Sequence, residues 1–96
     1  MTYFEQLLLE IGRALGCGAI HRKTMPVTEV FQGKVIWDGS VEVYDLIGHP
    51  RAKRCYAWGH EIENKGWEFT TVLEIPPVVS AETAVKAAIA SKAKQS

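Results

Sequence analysis

Few side chains in this 96-residue chain could do covalent or metal chemistry: Cys17, Cys55, His21, His49 and His60. The stretch Gly48 to Glu61 (GHPRAKRCYAWGHE) gathers two of the histidines, one cysteine, a tyrosine, a tryptophan and a basic run. A nucleophilic thiolate needs an oriented base beside it, and Cys55 with His49 or His60 and the nearby Glu61 supplies the right residue types. For a zinc site, Cys17 with His21 and Cys55 with His60 offer sulfur and nitrogen, at spacings that match no compact finger. No two carboxylates share an obvious apolar cleft of the kind acid–base catalysis uses. Arg51, Lys53 and Arg54 interleave with Tyr56 and Trp58, a mixture that can hold phosphates and stack bases.

What these groups can do depends on the strand that carries them. Ala52 to about Ile62 reads as extended, so Ala52, Arg54, Tyr56, Trp58 and His60 share one side while Lys53, Cys55, Ala57, Gly59 and Glu61 share the other. Cys55 and His60 then point to opposite faces. Cys55 reads as a small core residue, and His49, before Pro50, as an exposed turn residue. The basic run reads as a solvated strand whose charges pair with Glu42, Asp45, Glu68 or Glu74. Two registers of the preceding hairpin stay open, and a one-residue slip exchanges the faces. Pairing Leu46 with Arg51 sets Tyr56 beside Val41 and Trp58 over Gly39 inside the core. Pairing Asp45 with Lys53 sends Cys55 and Ala57 inward and leaves Tyr44, Arg54, Tyr56 and Trp58 as an open aromatic, basic surface. Burial of two aromatics favours the first. The candidate ligand-binding residues are Tyr44, Arg54, Tyr56, Trp58 and His60; no catalytic residue, metal or cofactor is expected.

The elements around this strand follow from periodicity. Thr2 with Glu5 is a capping-box pattern, and Phe4, Leu7, Leu8, Ile11 and Leu15 recur on one helical face up to a glycine stop at Gly16. Cys17 to Glu29 shows no clean period and reads as a connection, with a short extended piece around Ala19 to His21. From about Val30 the period becomes two: Val35, Trp37, Val41 and Val43 alternate with Lys34, Asp38, Ser40 and Glu42. Asp38-Gly39 is a hairpin signal, but a turn there would mix apolar and charged residues on both faces, so one long strand with a glycine bend or bulge is expected. Asn64-Lys65-Gly66 is turn chemistry. Trp67 to Ile75 alternates again until Pro76-Pro77 stops it. Ser80 caps a last helix from about Ala81 to Ala93, with an expected Glu82–Lys86 pair and with Lys92 and Lys94 at its C-terminal end. The fold class is α+β: one domain over 1–96, with an N-terminal helix, a three-stranded antiparallel meander and a C-terminal helix, both helices on one sheet face.

Composition narrows the function classes. Eleven basic and eleven acidic residues cancel, so no strong field steers the chain to nucleic acid or a membrane. Helix, three strands, helix is also the element order of double-stranded RNA-binding domains, but Ser80-Ala81-Glu82-Thr83 stands where their last helix opens on a basic cluster. Nucleic acid is therefore not the expected partner. Two cysteines far apart make no disulfide framework. Glu5 and Glu10 break any signal-peptide core, no apolar run nears the ~20 residues of a membrane span, and a cytoplasmic setting is expected. Three tryptophans, with Tyr44, Ile36, Val72 and Leu9, exceed what one thin core buries, and a symmetric homodimer would absorb the surplus.

The string Gly48 to Trp58, with Leu73-Glu74-Ile75-Pro76-Pro77-Val78, resembles small uncharacterised bacterial proteins of the kind carried on integron or other mobile gene cassettes. The likeness runs from about Gly33 to Ile89. It implies a bacterial cytoplasmic protein and supplies no activity. The expected function is a small non-catalytic binding or interaction module acting as a homodimer. The alternative is a small-molecule-binding protein or weak enzyme with a pocket around the aromatic, basic strand.

Overall fold

A computed structural model describes residues 2–95, with the side chains of Lys94 and Gln95 left undescribed, so the expected role of Lys94 lies outside the described residues. The order is α1 (Tyr3–Leu15), β1 (Gly18–Phe31), β2 (Lys34–Ile47), β3 (Arg54–Ile62), β4 (Gly66–Leu73) and α2 (Ala81–Gln95). The four strands form one antiparallel sheet in the order β1-β2-β3-β4. The chain is thus α+β with a helix at each end of the sequence, as expected, but the sheet has four strands rather than three.

The additional strand is β1, which runs through residues whose lack of a clean period predicts a connection. Its alternation is broken by register shifts at His21/Lys23 and Glu29/Val30, the mark of bulges that place an unpaired residue in the ladder. It also carries Pro26, which a sheet tolerates on an edge strand because one row of N–H groups there needs no partner. Gln32 (φ 51°) and Gly33 (φ 78°) turn the chain into β2; positive φ at both central residues matches the twist of the two strands. β2 runs unbroken through Asp38-Gly39, where Gly39 sits opposite Val27. The ring that covers Gly39 belongs to Trp37, 3.2 Å from where a Cβ would stand, and not to Trp58.

The helices lie on opposite faces of the sheet, which corrects the expectation that both share one. Val41, Val43, Tyr56 and Trp58 pack with Val78, Ala81, Ala84 and Val85 under α2. Tyr44, Cys55 and Ala57 pack with Leu7 and Ile11 under α1, joined by Phe69 and Leu73. The register between β2 and β3 is Val43↔Tyr56 and Asp45↔Arg54. Neither expected register occurs, although the observed one keeps the aromatic side with Val41 and Val43. Both sides of β3 are buried: Tyr56 is 3% and Trp58 4% exposed, Cys55 and Ala57 0%. The sheet is the middle of three layers, and each helix covers an apolar face.

Local chemistry fixes the ends. Thr2 and Glu5 form the expected reciprocal capping box, and Gly16 closes α1 in the left-handed region (φ 65°). At the start of α2 the Thr83 N–H donates to Ser80 Oγ and the Ser80 N–H donates to Thr83 Oγ1. Lys86 does not make its ion pair with Glu82. Its Nζ reaches Glu29 of β1 at 3.6 Å, tying α2 to the edge strand.

Candidate functional site: a forked sheet and two cavities

The ladder between β2 and β3 is short. It spans Glu42↔Ala57 to Asp45↔Arg54, is carried on by the Leu46 N–H donating to the Lys53 carbonyl at 2.8 Å, and ends at Glu42↔Ala57 on the other side. Residues 34–41 of β2 then pair only with β1, and residues 58–62 of β3 only with β4. The sheet forks into two hairpins, and β2 shows an unpaired backbone edge inside the fork. On the β3 side the Gly59 N–H donates instead to the Tyr3 hydroxyl of α1 at 2.8 Å. At the base of the fork the Trp37 and Trp58 rings meet edge to face, 5.5 Å between centroids.

A groove of about 1050 Å³ follows this fork. Trp37, Trp58, His60, Thr70, Ile89 and Lys92 are among its lining residues, so it lies against the C-terminal half of α2. Glu68 bridges its polar side, with His60 Nε2 at 3.4 Å and Lys92 Nζ at 3.7 Å. Beyond the fork the hairpin of β1 and β2 ends in exposed apolar side chains: Val30 (60%), Phe31 (61%), Val35 (60%) and Ile36 (49%).

The five residues expected to bind a ligand do not converge. Trp58 and His60 border the groove. Arg54 shares their strand side but is held by Asp45, which also takes Arg22; the Arg22 hydrogen bond, then that of Arg54, holds the Asp45 carboxyl below its usual range. Tyr56 is buried and donates its hydroxyl to Glu74; burial first, then the hydrogen bond to Glu74, pushes its pKa up to about 12. Tyr44 lies on the α1 face, across the sheet from the other four.

The other reactive candidates also find structural roles. Cys55 is fully buried and its thiol is pushed up to about 12 by desolvation, far from a nucleophile. His49 is half-buried rather than exposed, and its Nδ1 accepts from the Arg51 and Ala52 N–H groups at 3.1 and 3.0 Å, shaping the turn into β3. Among the described residues no group of three or more His, Cys, Asp or Glu is gathered for a metal ion, and no helix is long and apolar enough to cross a membrane.

One constellation is assembled from residues that no sequence motif brings together. Glu42, read as part of the solvent side of β2, is 2% exposed. Its carboxylate pairs with His21 Nε2 at 2.7 Å and accepts the Thr24 hydroxyl. Beside it, Phe4, Leu8, Ala19, His21 and Tyr44 line a cavity of about 390 Å³. The signal was the run Val41-Glu42-Val43-Tyr44, where a lone charge interrupts an otherwise apolar stretch; finding its partners required β1.

Comparison with family models, with curated proteins and with solved structures finds no match to this chain.

Proposed function

We propose that this protein is a small non-catalytic interaction module that works as a homodimer, joined through the open edge of β2. The fork carries this reading: residues 34–41 present an unpaired backbone edge beside an exposed apolar hairpin tip. Such an edge templates pairing with another strand. An antiparallel ladder between two identical strands is its own two-fold, so the second copy supplies the complementary edge without any further design. A ladder centred on Trp37 sets Val35 of one copy beside Gly39 of the other and covers both tips. A bacterial cytoplasmic setting belongs to the same proposal, supported by the resemblance of the Gly48 to Val78 strings and by two free cysteines.

Light scattering tests the dimer directly, with an expected mass twice the 10.7 kDa of one chain. The double variant Phe31→Asp, Val35→Asp changes only exposed side chains, so it should fold and run as a monomer. A wild-type monomer at micromolar concentration refutes the reading.

The groove itself supports a second reading, a small-molecule site in which Trp37 and Trp58 border the apolar side and Lys92, with His60, meets Glu68 on the polar side. Anilinonaphthalene sulfonate, apolar and anionic, is a suitable probe. Saturable binding to a monomeric wild type, lost in Lys92→Glu, favours that reading over the dimer.

A further inference from the structure

We propose that the cavity on the α1 face is a binding site for an apolar small molecule carrying one hydroxyl group, with a phenol as the simplest member of the class. The site is separate from the fork and does not depend on dimerisation.

Its lining is apolar except at one end. Phe4, Leu8 and Ala19 form the walls, and His21 and Tyr44 bring the polar atoms. Phe4 and Leu8 are 52% and 46% exposed on α1, an apolar surface that the fold leaves uncovered and that a guest would cover. Ligand sites commonly combine a mostly apolar wall with a few fixed polar groups.

Both polar groups are positioned from behind. The buried carboxylate of Glu42 lies 2.7 Å from His21 Nε2, and the proposed site uses the tautomer in which Nε2 donates to it. In the neutral ring the free acceptor is then Nδ1. The Thr24 hydroxyl, donating to the same carboxylate oxygen, holds Glu42 in place. The His21 ring stands edge-on to Tyr44 at 5.2 Å and to Phe4 at 6.0 Å, which fixes its plane. Tyr44 is 2% exposed, and its raised pKa of about 12 comes from burial and from the Glu42, Cys55 and Tyr3 charges, with no hydrogen bond contributing. Among the described residues no fully buried side-chain polar atom lacks a partner. The Tyr44 oxygen therefore reaches accessible space, and the cavity is the space that Tyr44 borders. A ligand hydroxyl meets both groups at once: it accepts from the Tyr44 O–H and donates to His21 Nδ1.

The donor requirement is the test. Full-length protein labelled with ¹⁵N is titrated with 2-naphthol and, in parallel, with its methyl ether, which has the same rings and no proton to donate. Expected is a saturable set of amide shifts at Phe4, Leu8, Ala19, His21 and Tyr44 with 2-naphthol, and binding about tenfold weaker with the ether, the equivalent of one hydrogen bond. Tyr44→Phe and His21→Gln should each reduce 2-naphthol affinity by a similar factor; the glutamine can keep the Glu42 contact but has no acceptor in the place of Nδ1, and the His21 side chain is 41% exposed, so that variant stays readable if Tyr44→Phe does not fold. Equal affinity for the two probes, unchanged affinity in His21→Gln, or shifts confined to the fork residues overturns the proposal. A monomeric protein that still binds 2-naphthol at these residues removes the dimer reading and leaves this one standing.

Discussion

Gly59 should be intolerant of a single added methyl group, while Gly12 should welcome one. A Cβ built on Gly59 stands 2.7 and 2.8 Å from two ring carbons of Phe69 and 3.1 Å from Tyr3. Carbon–carbon contacts sit near ~3.5–4.0 Å, so the Phe69 ring must retreat by most of an ångström. It has little room, since Tyr3 and Trp67 flank it at 6.2 and 6.4 Å between centroids. Moving Tyr3 also strains the hydrogen bond it accepts from the Gly59 N–H. Overpacking of this kind costs roughly 1–3 kcal/mol, and loss of the hydrogen bond adds about 1 kcal/mol. Reduced freedom of the unfolded chain returns about 0.5–1 kcal/mol. Gly59→Ala should therefore destabilise by about 1–3 kcal/mol and lower Tm by several degrees. At Gly12, in the interior of α1, nothing lies within 4 Å of the added carbon, and alanine should stabilise by about 0.5–1 kcal/mol. Urea unfolding of both variants at equal protein concentration measures the difference. If Gly59→Ala is as stable as the parent protein, the Tyr3–Phe69–Trp67 packing on the α1 face is not as described.

Two other perturbations read the burial of the sheet. An aromatic disulfide reagent at neutral pH should label one thiol of the native protein, the partly exposed Cys17, and reach Cys55 only after denaturation; rapid reaction of both thiols refutes the cover that α1 gives β3. Raising the pH should weaken the fold: Tyr44, Tyr56 and Cys55 keep their protons up to about 12 when folded. The unfolded chain releases them near 9–10. Their contribution is therefore complete below that range and lost as pH climbs from it towards about 12, each group at up to about 1.4 kcal/mol per pH unit. The urea midpoint should fall between pH 8.5 and 11, with tyrosinate absorbance appearing only as the protein unfolds, since Tyr3 is raised as well. A flat midpoint, or early ionisation of the tyrosines, contradicts it.

Much of this architecture was legible because short-range chemistry decides it. The Thr2–Glu5 box, the Gly16 stop, the Asn64–Gly66 turn and the Ser80 cap each satisfy backbone groups within a few residues, and each occurs. The unbroken course of β2 was also readable, since only a continuous strand keeps Val35, Trp37, Val41 and Val43 on one side. β1 was hidden for the opposite reason. It is an edge strand with Val27 its one fully buried residue, so little burial was at stake to impose alternation, and its bulges shift the phase of what remains. The role of Glu42 was hidden along with it, because His21 and Thr24, the groups that make its burial tolerable, lie on β1.

The placement of the helices decides what the candidate site exposes. With both helices expected on one face, the other face stays open, and the question becomes which side of β3 looks out. With four strands and a helix on each face, neither side does: Tyr56 and Trp58 lie under α2, Cys55 and Ala57 under α1. The chemistry of the Gly48–Glu61 stretch is thereby consumed in packing, turn formation and the Arg54–Asp45 pair. Accessible structure is displaced to where the three layers fail to close. One such place is the fork, because the β2–β3 ladder ends at Glu42↔Ala57. The other is the cavity beside Glu42, because α1 leaves Phe4 and Leu8 partly uncovered there. Glu42 stands at both: it is the last residue of β2 paired to β3, and its carboxylate fixes the ring of His21. Glu42→Gln tests that link. Removing the charge while keeping the shape should lower 2-naphthol affinity in the cavity and leave the oligomeric state unchanged, because backbone pairing at Glu42 does not involve the side chain. A change in both would mean that the two regions are coupled through β2.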